Sequence, residues 1–501
     1  MSRKNGGIIG PANTPVGGLF KGGAGGVWRM NDVANFVSNS QWPSTPQSID
    51  NSCRFDDASV DYLSRTPSSS GSNRKFTFSA WVKRSHPSNE ITMISQNNSA
   101  NNARDCIRFN GGDQVLRIFL NDANTASFVS NAQYRDVSAW YHVVVNADTT
   151  QATASNRLKA YINGEQITSW HTNTEPSQNA DLLFNSNNLM TIGRDSKDSN
   201  AEWEGYMAEV VFIDGLQLDP TSFGETDSTT GIWKPKKIGT FSSAGTNSFY
   251  LDFKDSSNLG NDASGLNNDF TVNNLTSIDQ STDTCVENFA TLNPLNQGRF
   301  QTAVFSNGNL EYESTQTGAS YPRGISTIGV NTGKWYMEVK NLSSQAVMLG
   351  ISNGDSYGGV LPDTTNDIGY QSANGYLYKD GSGQVQVSTY TTNDIIGIAL
   401  DLDNYKVYFS KNGTWQNSGD PTSGATGTGA ISVTNPSATG FYFFTHGETS
   451  SSATPNITCN FGSPSFSISS GNADANGFGN FEYAVPSGYY ALNTSNLNTY
   501  G

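Results

Sequence analysis

The sequence predicts an all-β protein made of two antiparallel β-sandwiches behind a glycine-rich arm. Three observations predict it. The composition is 35% hydrophobic, 11% aromatic and only 15% charged, with 50 glycines, which suits short strands and many turns. Short apolar runs alternate with period two and are separated by turn residues along most of the chain. Asn-Gly, the pair that accepts positive φ in a two-residue hairpin, stands between alternating apolar residues at Asn163-Gly164 and at Asn412-Gly413. At 501 residues the chain exceeds one ordinary core, so more than one domain is expected.

The N-terminal 26 residues hold nine glycines and no periodic apolar face, and read as a flexible arm. The next stretch, GGVWRMNDVANFVSNSQWP, sets Trp28, Val33, Phe36 and Val37 at approximately helical spacing before Pro43. It is either a short amphipathic anchor, with Val27 and Trp42 at its ends, or a strap across the following domain. From Ser52 to Asp279 come FTFSAWVKR, VLRIFL, WYHVVVNAD, RLKAYINGEQITSW, NLMTIGR, GYMAEVVFIDG and NSFYLDF. In RLKAYINGEQITSW, Leu158, Ala160 and Ile162 share one face ahead of the turn. A second series begins near Phe300 with IGVNTGKWYMEVKN, MLGISNG, DIGYQSANGYLYKDG, DIIGIALDLDNYKVYFSKNGTW and GFYFFTHGE. The reading therefore divides the chain into an arm and anchor helix (1–45), a first sandwich (46–280), a linker (281–299), a second sandwich (300–470) and a C-terminal tail packed on the second sandwich (471–501).

The first series, in that order of strands, resembles the concanavalin A-like, laminin G-like module. The second resembles a SPRY domain, most specifically at GKWYMEV and DIIGIALDLDNYKVYFSKNG. The run CRFDDASVDYLSRTPSSSGSNRKFTFSAWVKR, with GGVWRMNDV, CVENFATLNPL and FEYAVPSGYYALNTSNL, is similar to structural proteins of bacteriophages, notably tail fibres. That resemblance implies a non-enzymatic virion protein, made in the host cytoplasm and released by lysis. Its arm would dock on other virion proteins through Val27, Trp28, Val33, Phe36 and Trp42. Its sandwiches would bind a host-surface glycan or protein, as a homo-oligomer. A capsid decoration or connector is the alternative, and a polysaccharide depolymerase a third.

Several chemistries are excluded by pattern. A net charge of −15 repels nucleic acid and anionic membranes at long range, and no run of some 18 apolar residues offers a membrane span. Cys53, Cys106, Cys285 and Cys459 are scattered without a CxxC, so neither a zinc site nor a disulfide framework is indicated. Asp401 and Asp403 open a stretch that looks like a calcium loop, but Tyr405, Lys406 and Asn412 occupy the positions needing an oxygen ligand, glycine and glutamate. The glutamate pair of a glucanase is absent, since Glu204 and Glu209 fall on opposite faces of a regular strand. His86, His142, His171 and His446 lie apart from one another, and His142, inside a strand, reads as structural.

What remains is recognition by loops on rigid scaffolds. Glycan binding needs aromatic faces for C–H stacking beside short polar side chains, and the candidates in that setting are Trp170, His171, Trp203, Tyr357, Tyr376, Tyr378 and Trp415. The alternative for most of them is packing at sandwich ends or in a subunit interface. No cofactor is expected. A calcium ion at the rim of the first sandwich, which laminin G-like modules often hold, would draw on Asp195, Asp198 or Asp262.

Overall fold

The structure, a computed structural model, describes residues 7–9, 27–29, 49–86, 89–98, 100, 102–228, 230–296, 303–314, 323–354, 367–436, 439–449 and 453–501. The first sandwich pairs two sheets, each of eight strands among these residues. One is centred on Tyr141–Asp148, Lys75–Arg84 and Gly205–Asp214, antiparallel neighbours in that order. The other runs Trp170–Thr174, Ala126–Gln133, Val115–Leu120, Ala103–Phe109, Ile91–Asn98, Met190–Ile192, Tyr62–Arg65 and Thr271–Asn273. Alternation decides the core. Phe76, Phe78, Ala80 and Val82 from one sheet meet Ile107, Phe109, Leu116, Ile118 and Leu120 from the other, all buried.

The strand Gly205–Asp214 breaks its own alternation. The register against Lys75–Arg84 shifts between Ala208 and Val211, and Glu209 sits there at φ 50°. This β-bulge moves the core parity from Met207 to Val210 and Phe212. Glu209 is therefore not on a regular strand, and the parity expected to separate it from Glu204 does not hold.

The second sandwich has a large sheet with Glu311–Ser314, Asn456–Asn460, Lys334–Asn341, Ile395–Asp401 and Lys406–Lys411 in that order. Against it packs a sheet ordered Arg323–Ile325, Phe443–Glu448, Val347–Ser352, Ile368–Gln371, Tyr376–Lys379 and Ser382–Gln386. Trp335, Met337, Ile398, Leu400 and Phe409 fill the core against Leu349, Ile351, Tyr370 and Phe444. The outer face of the large sheet is covered too. Tyr336, Ala399 and Tyr408 pack against Phe481, Tyr489 and Ala491 of the C-terminal segment, which ends in the helix Thr494–Tyr500 capped by the Asn493 side chain.

The pairs Asn163-Gly164 and Asn412-Gly413 are hairpin turns with positive φ at each residue: 50° and 82° in the first, 48° and 77° in the second. Asp401 is buried, paired with Lys334 at 2.9 Å, and accepts from the backbone and side chain of Asn404, while Asp403 caps Gly333. The stretch is a strand-and-hairpin element, as Tyr405, Lys406 and Asn412 required.

Within the segment 281–299, expected as a linker, the described residues Asp283, Thr284, Phe289, Ala290, Thr291 and Leu292 are each at most 2% exposed. At the other end of the chain, Val27–Arg29 is a strand paired antiparallel with Gly7–Ile9, where the expected anchor helix was to begin. Val33, Phe36 and Trp42 lie outside the described residues.

Candidate functional site

The two sandwiches are joined by buried polar ties. Arg54, 1% exposed on the strand Ser52–Phe55, donates to the Ile278 carbonyl at 2.9 Å and to the Pro464 carbonyl of the second sandwich at 3.0 Å, and pairs with Asp279 at 3.3 Å. Lys83 pairs with Asp283 at 2.8 Å, each 1% exposed, and also donates to Asn288 and the Phe289 carbonyl. The turn at Asn307–Asn309 is gripped on three sides. Gly308 N–H donates to Glu204 at 3.0 Å, Tyr206 donates to the Gly308 carbonyl at 3.0 Å, and Asn309 donates to the Ser85 carbonyl at 2.9 Å. Gly308 has φ 68°, and a Cβ there would stand 2.4 Å from the Tyr206 hydroxyl, so glycine is required for the approach.

Beside this junction, at the rim of the first sandwich, opens a cleft of about 660 Å³ lined by Asp57, Asn89, Glu90, Asn110, Asp113 and Glu202. Three turns build it. One joins Ala103–Phe109 to Val115–Leu120, with Gln114 at φ 57° closing on the Gly111 carbonyl. Another precedes Ile91, and the third is held where Thr92 N–H reaches the Ala201 carbonyl at 3.0 Å. Arg108 neutralises Glu90 at 2.9 Å and Arg194 neutralises Glu202 at 3.1 Å, while Asp57 and Asp113 face no cation within ion-pair distance among the described residues. The walls are rich in acceptors, and so suit a ligand that presents hydroxyl hydrogens.

Asp56, Asp57 and Glu204 bring carboxylate oxygens within 4.8 Å of one another behind that cleft, a grouping no sequence spacing announced. Protein donors already engage them. Glu204 accepts from Asp57 N–H and Gly308 N–H, Asp56 from Asn307 N–H and Ser59, and Asp57 from Asn89. Burial, then the charges of Asp56 and Asp57, push the Glu204 carboxyl well above the usual range. The cluster serves first as the clasp of the domain junction.

Residues 57–217 match the family model described as the concanavalin A-like lectin/glucanases superfamily, and residues 334–433 match the SPRY domain. The chain holds one domain of each kind. Solved structures similar to it include the SPRY domain of human HERC1 (18% identity, 34% of this chain and 96% of that one, TM-score 0.28). A putative carbohydrate binding protein from Bacteroides ovatus has 16% identity over 46% of this chain and 60% of its own, with TM-score 0.34. The heptameric SAP-like pentraxin of Limulus polyphemus has 15% identity over 33% and 77%, with TM-score 0.26. A search of curated proteins finds no match.

The aromatic residues singled out by sequence do not converge. In the concanavalin A-like domain, Trp203 is fully buried, 6.2 Å from Phe109 in the core, and its backbone N–H donates to the Gly193 carbonyl. Its neighbour Glu202 is the residue that reaches the cleft. Trp170 and His171 lie on the edge strand Trp170–Thr174, Trp170 half-buried with its edge on Phe128 and His171 exposed. In the SPRY domain, Tyr376 and Tyr378 are half-buried with rings 5.9 Å apart, Tyr378 accepting from Asn374, and Trp415 lies edge-on to Tyr408 at 6.5 Å. Tyr357 lies outside the described residues.

The acidic residues considered for calcium are committed elsewhere. Asp195 and Asp198 both pair with Arg104, whose guanidinium stands where a cation would, and Asp262 accepts from Tyr250 N–H, Ser264 N–H and hydroxyl, and Asn268 N–H. Neither set fits calcium without losing those bonds.

Two potential catalytic arrangements are disarmed by their own hydrogen bonds. Trp233 donates to His142 Nδ1 at 3.0 Å, so the neutral ring carries its proton on Nε2 and donates it to Ser79 Oγ at 2.9 Å. Burial lowers the His142 pKa to about 3, so the ring cannot take up the serine proton as a base. The hydroxyl of Tyr250 caps both oxygens of Glu209 at 2.7 Å.

Proposed function

We propose that this chain is a non-enzymatic saccharide-binding protein of a bacteriophage virion, a tail fibre or appendage that attaches the particle to host-surface glycans. The observation that carries the binding reading is the acceptor-lined rim cleft on a domain matching a lectin superfamily model. Carboxylate and amide oxygens spaced round a cleft of this size accept hydrogen bonds from neighbouring sugar hydroxyls, and volumes of about 300–1,000 Å³ are typical of ligand sites. The virion reading is supported by the four fibre-like stretches of sequence, GGVWRMNDV, CRFDDASVDYLSRTPSSSGSNRKFTFSAWVKR, CVENFATLNPL and FEYAVPSGYYALNTSNL. In it the arm contacts other virion proteins and several copies assemble in one appendage.

Antibody labelling of intact particles tests the location. Label on tails is the expected result, and label confined to capsid faces or vertices would replace the fibre by a capsid decoration. Glycan microarray binding, compared between the wild type and Glu202→Gln, tests the cleft. Loss of signal from at least one class of glycan on the variant is expected, and an unchanged array profile would remove the rim cleft from the reading.

A further inference from the structure

Another cleft, among the described residues, lies between the two domains and has a different chemistry. It encloses about 390 Å³ between Asn51 and Ser277–Thr282 on one side and Ser463–Ile468 and Asn480 on the other. None of the described residues lining it carries an ionisable side chain, in a protein with 44 acidic and 29 basic residues. We infer that this inter-domain cleft is a separate subsite for a neutral saccharide, a proposal that rests on the saccharide-binding reading above.

Three features support it. First, the polar lining is unengaged: the side chains of Asn51, Ser277, Thr282, Ser467 and Asn480 make no hydrogen bond to other described residues and face solvent in the cleft. Amides and hydroxyls both donate and accept, as sugar hydroxyls do, and need no counter-charge. Gln280 is oriented as well, because its amide nitrogen donates to the Phe253 and Lys254 carbonyls and leaves the oxygen as the remaining acceptor. Second, Phe466 supplies an aromatic platform for sugar C–H groups, with the Lys340 ammonium 5.5 Å from the ring centre. Ile278 and Ile468 extend the apolar surface. Third, the walls are held apart at a fixed distance. Arg54 spans them by binding the Ile278 carbonyl in one and the Pro464 carbonyl in the other, and Ser281 bonds Ser463 at 2.8 Å. A preformed cleft avoids the ordering cost of binding. Among the described lining residues an anion would find no cation and a cation no carboxylate, the Lys340 ammonium lying over the Phe466 ring outside that lining, so the ligand that matches this surface has hydroxyls and no formal charge.

The test uses the full chain on a microarray carrying neutral hexose and N-acetylhexosamine oligosaccharides beside sulfated and uronic-acid ones, followed by calorimetry with the strongest neutral probe. Phe466→Ala and Asn480→Ala are each expected to weaken that neutral probe about ten-fold, the scale of a contact that matters in a small site. Thermal melting identifies any loss due to unfolding, and Asn480, being exposed, keeps the test decisive if Phe466→Ala melts early. Unchanged affinity in the folded variants overturns the subsite. If the loss instead follows Glu202→Gln, the inter-domain proposal fails while the saccharide reading stands. Binding restricted to sulfated or uronic-acid probes also overturns the proposal. If the wild type binds no saccharide, both the subsite and the reading beneath it fall.

Discussion

The two clefts place their charge in opposite ways. The rim cleft wears its carboxylates on the surface, with Arg108 and Arg194 neutralising only two of them, and a single domain's turns build it. The described residues lining the inter-domain cleft are all neutral, and the ion pairs of Arg54 with Asp279 and Lys83 with Asp283 are largely buried at the same junction. A buried ion needs fixed partners, so the ions here act as ties, and the surface they hold in place is free to be uncharged. The two domains are therefore tied through buried side chains and are not independent modules on a tether.

The largest test of that contrast is Arg54→Ala. It leaves Asp279, the Ile278 carbonyl and the Pro464 carbonyl without their shared donor, and removing one partner from a buried ionic network costs about 3–5 kcal/mol. Denaturant unfolding is expected to show that loss together with a first transition in which the domains separate. A loss below about 1 kcal/mol, the size of a surface ion pair, would mean that Arg54 does not brace the walls.

A smaller effect comes from pH. Burial, followed by the nearby Asp279 charge, raises the Asp61 pKa to about 7, and burial raises Glu209 and Glu338 to about 7 as well. A carboxyl whose pKa is higher folded than unfolded binds its proton more tightly in the folded state. Its stabilising contribution is complete below the unfolded value near 4 and is lost as pH rises through about 7. The protein is thus expected to resist denaturant better at pH 5 than at pH 8, and Asp61→Asn to narrow the difference. A midpoint that rises from pH 5 to pH 8 would contradict the assignment of these carboxyls.

Much of the fold was legible in the sequence. Period-two alternation located the strands because each sheet has one face in a core, and the Asn-Gly pairs located hairpins because positive φ at two successive residues admits few others. The bulge at Glu209 was not legible, because a single residue in the left-handed region leaves no trace in an alternation already full of valine and phenylalanine. For the sites, the candidate Trp203 is buried in the core, while its neighbour Glu202 lines the rim cleft. Trp203 is a candidate by sequence because it stands beside loops rich in short polar residues, yet its backbone N–H binds the Gly193 carbonyl and its ring lies in the core. The inter-domain cleft could not be read at all. Its walls come from residues 277–282 and 463–480, which only the packing of the whole second domain brings face to face.

The smallest expected effect on stability is the most discriminating for the rim. Asp113 is exposed, its side chain has no ion pair among the described residues, and the turn that carries it is closed by backbone bonds from Gln114 to Gly111 and from Asn110 to Val115. Asp113→Asn keeps the shape and an acceptor oxygen while removing one negative charge, so stability should stay within about 0.5 kcal/mol of the wild type. Any change in glycan binding by that variant then reports on the cleft and not on the fold. The same logic sets the two clefts apart. At Asp113 the rim charge can be altered without disturbing the scaffold, whereas at the junction the nearest charges are the scaffold. A stability change above about 1 kcal/mol in Asp113→Asn would mean that the rim carboxylates are also structural, and the distinction between the two clefts would disappear.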